Sequence, residues 1–133
     1  MTVIVCVSDG GGIAFNNRRQ SKDRALISDV LSDFADKKIY VSDYSAPLFK
    51  DAEVTVCNKI SDLEDNCVYF VERQTPREYL DKTSTLVLYR WNRKYPADVY
   101  LDIEPEQCGF KLESVKELEG SSHERITREV YVK

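Results

Sequence analysis

Two stretches of the chain, TVIVCV at 2–7 and CVYFV at 67–71, are apolar at every position after Thr2 and rich in β-branched and aromatic residues. A strand with one wet face alternates between apolar and polar. A strand that is apolar throughout has to be covered on both faces, and this requires a central sheet with a layer packed on either side. Sheets covered in this way are mostly parallel, so the pattern confines the chain to a layered α/β arrangement.

The intervening segments supply the layers. SKDRALISDVLSDFADKK, 21–38, carries Ile27, Val30, Leu31 and Phe34 at helical spacing, with Ser21 placed to cap the helix and lysines in its last turn. KIYVS and AEVTVC predict further strands. Between them, DYSAPLFKD predicts a short helical segment that starts near Ser45 with Pro47 in its first turn. After CVYFV, TPREYLDK predicts one or two helical turns capped by Thr75, and STLVLYRW predicts another strand. The pattern then changes. DVYLD, FKLESVKELE and HERITREVYVK alternate apolar with charged residues and have no helix between them, and EGSSH reads as the turn joining the last two. Alternation of this kind predicts an antiparallel C-terminal hairpin closing a mostly parallel central sheet. With 133 residues, 1–133 is expected to form a single domain.

Composition narrows the chemistry. Cys6, Cys57, Cys67 and Cys108 include no C-x-x-C pair, and three of them lie in strand-like runs, which points to reduced thiols and a cytoplasmic setting. A single histidine leaves no His-rich metal site, so no metal is expected. MTVIVCV lacks the basic start of a secretion signal, no apolar run approaches the ~20 residues of a membrane span, and no membrane partner is expected. A formal net charge of −4 disfavours nucleic acid as the main partner.

The order of elements and several residues resemble dihydrofolate reductase. VIVCVSDGGGIAFNNRRQSKDRALI can be laid along that family's first strand, long mobile loop and first helix, with Asp23 at the position of the single catalytic carboxylate. LVLYRW, ADVYLDIEP, GFKLESVKEL and SSHERITREVYV follow its last strands, acidic loop and closing hairpin. The resemblance implies a dihydrofolate reductase-like layered sandwich in a shortened, divergent form. It also implies that Tyr89 replaces a pterin-contacting threonine and that the hairpin bearing His123 reaches back to the loop before the first helix. The cofactor motifs depart from the family pattern. SDYS, with Ser42, Asp43 and Ser45, stands where an arginine and a threonine would hold cofactor phosphates. Val71 and Glu72 stand where paired glycines would admit a pyrophosphate. Bulk and negative charge at those places oppose a dinucleotide, so no cofactor is expected.

The candidate chemistry gathers before and at the first helix. Asp23 and His123 are the candidate catalytic groups, because a carboxylate at the rim of an apolar cleft can bind or protonate a heterocycle. Arg18, Arg19, Gln20 and Ser21 precede a helix N-terminus, where backbone N–H groups favour an anion, and Tyr89 completes the candidate ligand-binding set. Pairing of the arginines with Asp9, Asp23 or Glu72 is the competing role. The GGG run at 10–12 fits no phosphate-binding spacing and reads as part of a flap. Three functions remain open. The first is a binder of small anionic or heterocyclic molecules, with a pocket between loop 9–22, the first helix and the central strand ends, and without NADPH-dependent reduction. The second is a hydrolase for phosphorylated or nucleotide-like substrates, using Arg18, Arg19, Asp23 and His123. The third is a protein-binding module.

Overall fold

The computed structural model describes residues 1–50, 52–59, 63 and 65–133. Asp51, the end of one predicted segment, lies outside the described residues. In chain order the elements are β1 (Thr2–Val7), β2 (Gly12–Phe15), β3 (Arg18–Arg19), α1 (Arg24–Asp33), β4 (Lys38–Val41), β5 (Thr55–Val56), β6 (Cys67–Val71), β7 (Thr85–Arg90), β8 (Val99–Tyr100), β9 (Lys111–Leu118) and β10 (Ile126–Val132). Single 3-10 segments, Ala46–Phe49, Pro76–Lys82 and Pro105–Cys108, lie between strands.

Seven strands form one sheet in the order β5-β4-β6-β1-β7-β10-β9. β1 runs parallel to both neighbours, β6 and β7, and β4 runs parallel to β5 and β6. β10 pairs antiparallel with β7 and β9, which is the hairpin that the alternating pattern predicts. The almost continuously apolar strands occupy the middle of the sheet. Val3, Val5, Leu86 and Leu88 face one core, whereas Ile4, Val68, Phe70 and Val87 face the other, together with Leu26 and Val30 of α1. Each strand therefore feeds both layers, and its period of two is masked in the sequence because neither face is wet.

Three local expectations change. α1 is shorter than predicted, and its cap is Asp23, which accepts from the Ala25 backbone N–H at 2.8 Å; Ser21 lies outside the helix. The segment read as a flap contains an antiparallel hairpin. β2 and β3 are joined by Asn16 and Asn17, both left-handed with φ of 50° and 59°, and asparagine tolerates that region better than most residues. β8 does not join the closing strands of the large sheet but pairs with β2, giving a second sheet of order β3-β2-β8. The glycines turn the chain from β1 into this hairpin, with Gly10 and Gly11 at φ of 86° and 83° and the Gly11 N–H donating to Ser8 O. No helix among the described residues is long and apolar enough to cross a membrane.

Candidate functional site

Asp23 is fixed where the start of α1 meets the β9–β10 turn. Its Oδ1 accepts from the backbone N–H of Ala25 at 2.8 Å and from the backbone N–H and hydroxyl of Ser121, both at 2.9 Å. Its Oδ2 accepts from the backbone N–H groups of Ser122 at 2.8 Å and His123 at 3.1 Å, and from His123 Nδ1 at 2.9 Å. The side chain is 0% exposed. Burial alone would raise the Asp23 pKa, but the donors of Ser121, His123 and Ser122 outweigh it and hold the carboxyl well below its usual range. Gly120 makes this approach possible, since a Cβ there would meet the His123 carbonyl oxygen and stand 2.8 Å from Asp23 Oδ2.

His123 connects this cage to a hydroxyl pair. With Nδ1 donating to Asp23, Nε2 faces Tyr95 Oη at 2.8 Å and Ser21 Oγ at 3.1 Å, and the two hydroxyls lie 3.3 Å apart. Trp91 stacks on the imidazole at 4.5 Å between centroids. The hairpin thus does reach back to the segment before α1. The residues that it meets there are Ser21 and Asp23.

Arg19 is used differently. Its Nε and Nη2 donate to Glu72 Oε2 and Oε1 at 2.8 and 3.0 Å, and Ser45 Oγ donates to the same Oε1 at 2.7 Å. The Glu72 side chain is 7% exposed and Ser45 is buried. Tyr44 lies between two guanidinium groups, with Arg19 at 4.4 Å and Arg73 at 4.0 Å from its ring centroid. Glu72 follows directly on β6, so a paired carboxylate occupies the C-terminal end of a central strand, the side on which ligands of open α/β sheets bind.

The remaining expected residues are spread around this centre. Arg18 is exposed beside a cleft of about 520 Å³ that Phe15, Gln20, Tyr95 and Pro96 also line. Gln20 Nε2 donates to Ser8 Oγ at 3.0 Å and Pro96 O at 3.1 Å, while its Oε1 is buried without a partner among the described residues. Tyr89 is fully buried, and its hydroxyl donates to Asp29 of α1 at 2.7 Å, where Arg128 at 2.6 Å and Lys116 at 2.9 Å also converge. Burial first, and then the Asp29 carboxylate, push the Tyr89 phenol far above its ordinary range.

Tyr95 and Trp91 meet His123 only through the fold, and Asp29 likewise gains its partners Tyr89, Arg128 and Lys116 from strands distant in sequence. A cleft of about 550 Å³ opens between α1 and the 46–49 turn, with Ile27, Leu31 and Leu48 among its walls, and Lys22, Arg24 and Lys50 at its rim. A smaller cleft of about 320 Å³ lies against Glu72, lined also by Ser42, Asn58 and Gln74. Among the described residues, no group of three or more His, Cys, Asp and Glu is placed to hold a metal ion.

No family model matches this sequence, nor does any curated protein. Among solved structures, the chain is similar to dihydrofolate reductase from Enterococcus faecalis, complexed with NADP(H) and RAB-propyl, with a TM-score of 0.67. The match covers 98% of this chain and 94% of that chain at 9% sequence identity, so the likeness is one of architecture. The chain has a dihydrofolate reductase-like fold.

Proposed function

We propose that this chain is a small-molecule-binding protein on a dihydrofolate reductase-like scaffold, without NADPH-dependent reductase activity. The observation that carries the reading is Glu72. The similar reductase was solved with NADP(H), and the family resemblance implies bare backbone after this strand, where a pyrophosphate approaches. Here the strand ends in a buried carboxylate held by Arg19 and Ser45. A diphosphate at that point would meet like charge, and the arginine beside it is already engaged. Asp43 adds a second carboxylate in the neighbouring loop. These residues do not fit the dinucleotide.

The position expected for the catalytic carboxylate supports the same reading. Asp23 accepts hydrogen bonds on both oxygens from the β9–β10 turn and the first turn of α1, which leaves little acceptor capacity for a ligand's amidine edge. The cleft beside it is of ligand size, with apolar walls and three cationic side chains at its rim, and suits a flat apolar molecule bearing a carboxylate or another anion.

Thermal-shift measurements with folate, pterin-6-carboxylate and naphthoate, together with an assay of NADPH oxidation in the presence of dihydrofolate, test the proposal. The expected result is a rise in Tm with at least one aromatic anion, lost in Leu31→Asp, and no dihydrofolate-dependent oxidation. Reductase turnover contradicts the second half of the proposal, and an unmoved Tm across the set contradicts the first.

A further inference from the structure

Ser21, His123 and Asp23 stand in the order nucleophile, base and orienting carboxylate. The distances are 3.1 Å from Ser21 Oγ to His123 Nε2 and 2.9 Å from His123 Nδ1 to Asp23 Oδ2. Three side chains from the pre-helix segment and the last hairpin thereby reproduce the geometry by which a serine is activated, and such triads are recognised by geometry rather than by sequence position or fold. We propose that Ser21 is an acyl-accepting nucleophile and that the protein hydrolyses small carboxylic esters, a function separate from ligand binding in the cleft beside α1.

Each member has an environment suited to its role. Asp23 is buried and ionised, and its bond to Nδ1 fixes the imidazole tautomer in which Nε2 is the acceptor, with the hydroxyls of Tyr95 at 2.8 Å and Ser21 at 3.1 Å facing it. Trp91 against the ring face restricts its rotation, and the imidazole is nearly fully buried, with 3% of its side chain exposed. Ser21 itself is half-buried, less enclosed than the imidazole and the carboxylate behind it. Tyr95 Oη donates to Ser21 Oγ at 3.3 Å and lies 2.8 Å from His123 Nε2, so it orients the serine and the imidazole toward each other. Tyr95 and Gln20, the residue before Ser21, line the 520 Å³ cleft, where Phe15 and Pro96 offer apolar contact and Arg18 a positive charge.

The reaction balances without a co-reactant other than water. Ser21 Oγ forms a bond to the ester carbonyl carbon while its proton passes to His123 Nε2. Collapse of the tetrahedral adduct breaks the bond between carbon and alkoxy oxygen, and the alcohol leaves with the proton from Nε2. Water then attacks the acyl-serine and delivers a proton to Nε2. The bond to Ser21 Oγ breaks, Oγ recovers that proton, and a carboxylic acid departs.

The test uses a fluorophosphonate probe and 4-nitrophenyl acetate on the full chain, with intact-mass and peptide mass spectrometry as readout. The expected result is a single phosphonyl adduct on Ser21, absent in Ser21→Ala, with ester hydrolysis reduced at least tenfold in that variant while its Tm stays within a few degrees of the parent. His123→Gln, if folded, is expected to slow adduct formation at least tenfold. Absence of a Ser21 adduct in the folded parent protein overturns the proposal whatever the variants do. So does labelling of another residue alone, or hydrolysis unchanged in Ser21→Ala.

Discussion

Arg19 and Glu72, 53 positions apart in sequence, are joined by two parallel hydrogen bonds of 2.8 and 3.0 Å at the end of β6. The pair ties the β2–β3 hairpin to the central sheet. Removing the cation would leave a nearly buried carboxylate with the Ser45 hydroxyl as its remaining described partner. Arg19→Ala is expected to cost about 3 kcal/mol, and Arg19→Ala with Glu72→Ala less than the sum of the single changes. Urea unfolding midpoints of the four proteins check this, and strict additivity would contradict a coupled pair.

Asp23 sets an acid limit on stability. Its carboxyl titrates below the ordinary range in the folded chain and near about 3.9 when unfolded. With the folded value depressed, its contribution is fully present above the unfolded pKa and is lost as pH falls through that value towards the folded one. Asp23→Asn is expected to destabilise the protein by about 3 kcal/mol at pH 7, with the gap to the parent narrowing below about pH 4. Denaturation curves from pH 7 to pH 2.5 measure it, and a gap that widens on acidification would contradict the assignment.

Gly120 is confined by its neighbours rather than by its backbone angles. Gly120→Ala would push the His123 carbonyl and Asp23 Oδ2 aside, at an expected cost of about 1–3 kcal/mol. Because Trp91 stacks on His123, its fluorescence is expected to change in the same variant. An unchanged spectrum together with unchanged stability would show that the turn does not press against the carboxylate.

The hairpin between β2 and β3 rests on two left-handed asparagines. Asn17→Gly is expected to leave stability within a few tenths of a kcal/mol or raise it, because glycine adopts that region freely. Asn17→Val is expected to cost about 1–2 kcal/mol. Thermal melts of the two variants separate these outcomes.

The sequence was informative where burial leaves a continuous mark. The almost continuously apolar β1 and β6, the helical spacing of Leu31 and its neighbours, and the alternation in β9 and β10 all follow from the solvent each face meets. β2 and β3 were missed because each is short, and β3 has only two residues. The Asn-Asn turn was the one local signal that could have revealed them. At the site, Asp23 and His123 were visible as residues, but their contact spans 100 positions and depends on the turn that Gly120 permits. Ser21 looked like a cap because it precedes a helix, yet Asp23 two residues on takes that role and leaves the serine hydroxyl for the imidazole. Pairing of Arg19 with Glu72 was one of several equally available partnerships, and local sequence does not choose among contacts made across a sheet.

Calorimetric titration of the folded chain with NADPH tests the place of Glu72 most directly. The expected isotherm shows no saturable binding up to millimolar coenzyme in parent protein. Stoichiometric binding with a low-micromolar Kd, weakened by Arg19→Ala, would mean that the end of β6 still receives a diphosphate, and would contradict the account.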